Sequence, residues 1–384
     1  MGKRIYALVM GLLPLTALSQ ETWSLTTSDF NTQQVNVTSI DDKSLNILGA
    51  TGTGTPVPLD KLLVLERSNP APLAASKWRV YLVGDEQILG EPIEMKGEDL
   101  RFKTAPLGEV NVPLKRVVAM VKAGGSAGEL PENRTEDQVT LANGDVVTGI
   151  ISEFSATTVT VQRTGGETTP VPMDAISRVV LASTGGNPEE QSRSFRVTLS
   201  DGTSISTPVV QLDGSRLRVE AFNDKQGISI AAVKSIEQIN GPVVWLSSLT
   251  PQEDVQIPYY GDRPRKSARN LTVLGQPLRF GSQTFARGIG VHSLSRLTYA
   301  VDPSFRVFRT QYAIDGELPW ADVTVRVKLD GKTVHEQKNV KSGKLASVVS
   351  VDLNGAKTLT LEVDYGENYD VQDRLNWIEA AMLR

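Results

Sequence analysis

Four carboxylates, Asp364, Glu367, Asp370 and Asp373, crowd ten residues near the C-terminus. Two of them could stand at glycosidase separation, with one acting as acid and the other as base or nucleophile. A solvated, glycine-containing loop explains the same acids without catalysis, and the surrounding chain offers no cleft domain to shape a substrate. Gly124-Gly125-Ser126-Ala127-Gly128 has the letters of a nucleophile elbow, yet its surroundings read as a linker and not as the strand-to-helix turn that motif needs. Gly331-Lys332-Thr333 lacks the upstream glycine of a phosphate loop, because Arg326 stands there, and it reads as a hairpin turn. Two histidines, His292 and His335, with no cysteine, cannot complete an ordinary zinc site. The chain is expected to be a non-catalytic binding protein.

Binding chemistry has more candidates. Trp320 follows Pro319 in Gly316-Glu317-Leu318-Pro319-Trp320-Ala321, a segment with the character of a loop, where an indole either covers the end of a core or forms an exposed platform. Trp245 and Trp377 lie in strand-like segments and are expected in the core. Gly288 and Gly290 precede His292 and permit close approach of a ligand or of a neighbouring strand. Arg263, Arg265, Lys266 and Arg269 form the densest basic cluster, and it reads as solvated linker.

Lys3 and Arg4 precede an apolar run from Ile5 to Leu18 that ends in small residues, which reads as a signal peptide over residues 1–19. That run falls short of the roughly 20 residues a bilayer span needs, so export without a membrane span is expected, to the periplasm, cell surface or exterior. Removing Lys3 and Arg4 leaves 38 basic residues against 44 acidic ones. A mildly acidic chain without basic runs argues against nucleic-acid partners. The absence of cysteine excludes disulfides, so stability rests on packing alone.

The elements that must position these residues are strands. One pattern returns every 55 to 60 residues through the first 240 positions. Val139-Thr140-Leu141-Ala142-Asn143-Gly144 matches Val197-Thr198-Leu199-Ser200-Asp201-Gly202, with hairpin turns after alternating runs. Second hairpins follow at Leu45, Leu100, Val159 and Leu217, then closing elements such as Val112-Pro113-Leu114, whose prolines mark edge or strand-entry positions. The expected organisation is four β repeats at 20–68, 76–123, 137–183 and 193–240. Linkers run between them, including 124–136, and a longer-stranded domain occupies 241–384. About five short strands per repeat suggest a small closed or half-closed barrel, similar to Sm-like barrels, each with its own small core.

From Val244 to Arg384 the chain resembles the NPCBM family of carbohydrate-binding modules. The resemblance rests on Trp245-Leu246-Ser247-Ser248-Leu249, Gly275-Gln276-Pro277-Leu278, Phe285 to Ser293, Ile314-Asp315-Gly316, Val325 to Lys332 and Asp373-Arg374-Leu375-Asn376-Trp377-Ile378-Glu379-Ala380. Two segments depart from the family pattern: Gln256-Ile257-Pro258-Tyr259-Tyr260-Gly261, where many members carry glycine-tryptophan, and Asp373-Arg374, where Asp-His is common. The resemblance implies a galactose-binding-like jelly-roll sandwich, so the whole chain is expected to be all-β, tandem small barrels followed by that sandwich. It further implies a glycan ligand held by loops at one end, assigned to His292, Glu317, Trp320, Arg374 and Asn376. A structural Ca²⁺ is implied at Glu379, with Asn270 as a second ligand. The alternatives are a scaffold protein that binds other envelope proteins, and an accessory module of a glycoside hydrolase system.

Overall fold

The computed structural model describes residues 22–48, 54–125, 134–182, 193–261 and 263–384. The signal segment, Ser126 and the whole 183–192 linker lie outside the described residues. Among those described, every regular element is a strand apart from four single 3-10 turns.

Unit 1 comprises β1 (Trp23–Thr27), β2 (Thr32–Ile40), β3 (Ser44–Leu48), β4 (Gly54–Pro58) and β5 (Leu62–Arg67). Unit 2 comprises β6 (Trp78–Leu82), β7 (Glu86–Lys96), β8 (Asp99–Thr104), β9 (Gly108–Pro113) and β10 (Val117–Lys122). Unit 3 comprises β11 (Asp137–Leu141), β12 (Val146–Phe154), β13 (Thr158–Gln162), β14 (Thr168–Pro172) and β15 (Ile176–Val180). Unit 4 has six, because Pro208 splits its long second strand: β16 (Ser194–Leu199), β17 (Ser204–Thr207), β18 (Val210–Asp213), β19 (Arg216–Ala221), β20 (Asp224–Ser229) and β21 (Val233–Ile239). Within each unit the first strand pairs with the second and the last, and the second turns to pair with the next, through a register shift in units 1 to 3 and through the break at Pro208 in unit 4. The bend turns one hairpin into two small sheets.

No unit closes into a barrel. A strand has two edges, and those of β5 are taken by β1 and by β21 of unit 4, while β10 is taken by β6 and by β15 of unit 3. Nothing remains to pair with β4 or β9, which stay as edge strands. Pro58, Pro113 and Pro172 end these edge strands and do not begin them. They tolerate the missing N–H there and lead into a tight turn before the fifth strand. A single Ser204–Gln87 pairing joins β17 to β7, so the units follow one another in space as 1, 4, 2, 3. Small separate cores are also not what forms: one apolar cluster runs from Trp23 to Ile236 through all four units. The Asn69–Ala75 connection lies on unit 4, where the Ala71 N–H donates to Ala231 O and the Ser200 hydroxyl to Ala71 O, 2.7 Å each.

The remaining strands are β22 (Val243–Trp245), β23 (Glu253–Gln256), β24 (Ala268–Arg269), β25 (Leu278–Phe280), β26 (Gln283–Phe285), β27 (Gly288–His292), β28 (Ser295–Ala300), β29 (Val307–Ile314), β30 (Val323–Leu329), β31 (Lys332–Val340), β32 (Val349–Asp352), β33 (Thr358–Tyr365) and β34 (Arg374–Leu383). One sheet runs β24-β27-β34-β29-β32, with β22 also on β34, and the other β23-β28-β33-β30-β31. Alternate residues of both, among them Val323, Val325, Leu361, Leu375 and Trp377, meet in one sandwich core.

Trp377 is fully buried in that core, as expected, whereas Trp245 is not part of it. Trp245 packs with Leu63, Val243 and Ala381 in a separate cluster between unit 1 and the sandwich, with Phe30 edge-on at 5.7 Å. Arg287 ion-pairs with Glu237 of unit 4, and the Arg309 guanidinium lies 3.8 Å over the Phe30 ring. The sandwich is therefore docked on units 1 and 4 through a small apolar core ringed by cations.

Candidate functional site

Antiparallel pairing brings the end of β23, β27, β29 and β33 and the start of β28, β30 and β34 to one end of the sandwich. Their connections cluster there and line a cleft of about 320 Å³. Its walls come from Gln256 to Tyr260, from Arg263 and Arg265, from His292 to Leu294, and from Asp370 and Gln372.

His292 ends β27 opposite Arg374 of β34. Its Nδ1 lies 3.1 Å from the Ser293 carbonyl, which fixes Nδ1 as the protonated nitrogen and leaves Nε2 as an acceptor. Burial lowers its pKa, with the neighbouring Arg265 acting in the same direction, so the ring is neutral at pH 7. Arg374 also lies 3.8 Å from Asp315. Trp320 is an exposed platform and not a core cover, at 61% exposure. Its backbone N–H donates to Gln372 Oε1 at 3.1 Å and its carbonyl accepts from Asn368 Nδ2 at 3.1 Å, which ties its loop to the cleft wall. Glu317 is exposed on the same loop. Asn376 lies deeper, 1% exposed, between Gly290 and Ala313 in the ladders, so solvent does not reach it. The two glycines serve the neighbouring backbone: a Cβ at Gly288 would strike the Trp377 carbonyl, and one at Gly290 the Leu271 carbonyl at 2.5 Å.

Residues read as a departure and as linker prove to form the mouth of the cleft. Tyr259 packs on Tyr369 at 4.5 Å, on Tyr260 at 4.9 Å and on Tyr365 at 5.3 Å, and Tyr259, Tyr260 and Tyr369 remain exposed. The Tyr259 N–H donates to Asp370 Oδ2 at 2.8 Å, and the Tyr365 hydroxyl to the Ile257 carbonyl at 2.6 Å. Arg263 and Arg265 reach into the cleft and are not linker. The adjacent tyrosines beside a basic cluster were the available signal.

Three of the crowded acids, Asp364, Asp370 and Asp373, are engaged structurally, and Glu367 is exposed. Asp364 ion-pairs with Arg326 at 2.8 Å. Asp373 is fully buried and accepts from the Ser293 hydroxyl at 2.7 Å and from the Asp322 N–H at 3.1 Å. Burial pushes its pKa up to about 6. Glu379 and Asn270 flank the Arg287–Gly288 backbone: the Glu379 N–H donates to Arg287 O at 3.1 Å, and Asn270 Oδ1 accepts from the Gly288 N–H at 3.3 Å. Burial raises the Glu379 pKa and Arg309 opposes this. With a cation already beside Glu379, these two residues do not by themselves make a calcium shell, which wants six to eight oxygens. Among the described residues no group of three or more His, Cys, Asp or Glu could hold a metal.

The family model of the NPCBM/NEW2 domain matches residues 242–383. The C-terminal sandwich is an NPCBM domain. Over 110 residues the chain is 31% identical to a protein of Renibacterium salmoninarum named as an endo-alpha-N-acetylgalactosaminidase, covering 28% of this chain and 7% of that protein. Among solved structures, the NPCBM domain's chain is similar to CBM51 from Clostridium perfringens GH95 in complex with methyl-galactose. That match has 22% identity and a TM-score of 0.31, covering 36% of this chain and 99% of that one. It is also similar to the tandem CBM51 modules of a family 98 glycoside hydrolase from Streptococcus pneumoniae, at 13% identity and a TM-score of 0.32, covering 94% and 87%.

Proposed function

We propose that this is an exported, non-catalytic glycan-binding protein whose NPCBM domain takes a sugar in the cleft between Tyr260, His292 and Gln372. The observation that carries the reading is the convergence of exposed tyrosines and a neutral histidine on a polar cleft. A sugar presents an apolar ring face and a rim of hydroxyls, and this mouth offers a stacking surface beside fixed donors and acceptors. Tyr260 and Tyr369 supply the surface. His292 Nε2 accepts, Gln372 and Asp370 fix orientation, and Arg263 and Arg265 donate in pairs. Trp320 and Glu317 extend the surface on the adjoining loop and Arg374 from the start of β34, while Asn376 supports the floor from beneath. The name of the Renibacterium salmoninarum relative makes N-acetylgalactosamine the first probe, with galactose second.

Each hydroxyl gains about 1 kcal/mol net, so a monosaccharide should bind with a dissociation constant on the order of 0.1–1 mM. Titration of the full chain, followed by NMR, tests this. Shifts confined to the cleft loops, lost in Tyr260→Ala and weakened in Trp320→Ala, support the site, and no shifts at about 10 mM sugar sink it. Structural Ca²⁺ at Glu379 and Asn270 remains part of the proposal, with backbone carbonyls completing the shell. A melting temperature unmoved by both chelator and added calcium would assign Glu379 to Arg309 instead. The four-unit array favours a second role as scaffold, because it buries one continuous core through all four units.

A further inference from the structure

The joint between units 2 and 4 has a symmetry of its own. Ser204 of β17 stands opposite Gln87 of β7, and the two hold equivalent positions: each follows the hairpin turn and precedes the core residue that faces the first strand, Ile205 against Val197 and Ile88 against Val80. Two equivalent second strands thus pair antiparallel about a local two-fold. Side chains seal the joint, with Gln87 Nε2 donating to Gly202 O at 2.6 Å and the Leu89 N–H to Thr203 Oγ1 at 3.2 Å. Leu89, Thr203 and Ser204 are buried by it.

The same strand of unit 3 is β12, where Val146 holds the equivalent position, just before Val147 against Val139. Among the described residues no strand pairs with the outer edge of its first half. Val146 on that edge is 52% exposed, and Ile150, just beyond it where β12 begins to pair with Gln162 of β13, is 66% exposed. Exposed edges of this kind are ordinarily guarded by charge or proline. Unit 1 also leaves the first half of its second strand open, β18 reaching β2 only at Ile40, but there the side chains are Thr32, Gln33 and Gln34, polar groups that suit solvent.

We propose that β12 is a homodimer interface, pairing antiparallel with β12 of a second copy about a two-fold at Val146 and so repeating the β17–β7 joint between chains. A second copy is the occupant because the chain already builds this joint internally between equivalent strands, and an isologous contact closes without further growth. The sandwich docks on units 1 and 4, at the far end of the array from β12, so the dimer leaves both clefts free and can engage two glycans at once.

The chain has no cysteine, which makes Val146→Cys a sole thiol placed to meet its own copy across an antiparallel pair. Sedimentation equilibrium of the full chain at about 100 µM, well above a micromolar dissociation constant, should give the dimer mass. The double variant Val146→Lys, Ile150→Lys should give the monomer mass with an unchanged melting temperature. Under mild oxidation Val146→Cys should form a disulfide-linked dimer. A monomeric wild type, a double variant that stays dimeric, or cross-linking only when Val146→Cys is mixed with Thr32→Cys, the sign of head-to-tail pairing, would each overturn the proposal. Should the lysines perturb folding, the single cysteine still decides.

Discussion

Asp373 is buried beneath the cleft with a pKa raised to about 6 from 3.8. A carboxyl whose folded pKa exceeds its unfolded one binds its proton more tightly when folded. Its contribution is present below about pH 4 and is lost as pH rises to about 6. Thermal melts of wild type and Asp373→Asn at pH 4 and pH 7 should show the wild type losing more stability across that window. Glu362 has the opposite sign. Burial alone would raise its pKa, but Lys328, Arg326 and Arg296 outweigh it and hold it low, at 2.7, 2.9 and 3.0 Å. Its stabilisation is present at neutral pH and fades as pH falls through the lowered pKa. Glu362→Gln takes the carboxylate from Lys328 and Arg296, while Arg326 keeps Asp364 and Glu336, and should cost about 2 kcal/mol by denaturant titration, below the roughly 3–5 of a fully buried pair because the cations reach water. For binding, His292 must stay neutral, so sugar affinity should hold from pH 8 down to its lowered pKa and drop once a protonated ring sits beside Arg265.

At the scale of elements, β27 works because two of its five residues lack side chains. Gly288 passes the Trp377 carbonyl and Gly290 passes the backbone of Leu271 and Val273, so the 270–277 loop packs its backbone directly on β27, with the Gly290 N–H donating to Leu271 O at 3.0 Å. Backbone atoms cannot swing aside as a flexible side chain would. Gly290→Ala should therefore cost roughly 1–3 kcal/mol, toward the upper end, while Gly331→Ala, at a hairpin turn with nothing near its Cβ direction, meets only backbone strain at φ +80° and should cost about 1 kcal/mol. Chemical denaturation of both variants checks the ordering. A larger loss for Gly331→Ala would mean the loop over β27 is not closely packed.

Across the whole molecule, Trp245 decides whether two parts behave as one. Its ring fills the junction among Leu63, Phe30, Val243 and Ala381, and Arg287, held at a pKa of about 10 by burial, pairs across it with Glu237. Wild type should melt in one transition. Trp245→Ala should remove about 3 kcal/mol of coupling, by analogy with large-to-small core changes, and split calorimetric unfolding into two peaks. A single unshifted peak would show that the sandwich and array are energetically independent. A sandwich cut out at residue 241 would expose this junction, which is why the binding tests use the full chain.

Period-two alternation and Asn-Gly or Asp-Gly turns determined the all-β class and the hairpins, because those signals are local: each strand's buried face and each turn's backbone demand are written within ten residues of one another. The dense constellation from Trp245 to Ala380 likewise carried the NPCBM domain, and the loop character of Trp320 is visible in Pro319-Trp320. Which edge each fifth strand offers was not legible. β5 pairing with β21, or with β4 to close a barrel, satisfies the same alternation, and the choice rests on contacts between residues some 170 positions apart. Trp245 read as core, and it is buried, but only docking revealed that its partners are Phe30 and Leu63. The cleft was split in the same way. His292 and Arg374 were found because they sit in motifs, whereas Tyr260 and Arg265 of the β23–β24 connection meet Asp370 of the β33–β34 connection only because the antiparallel pairing of the strands brings both to one end.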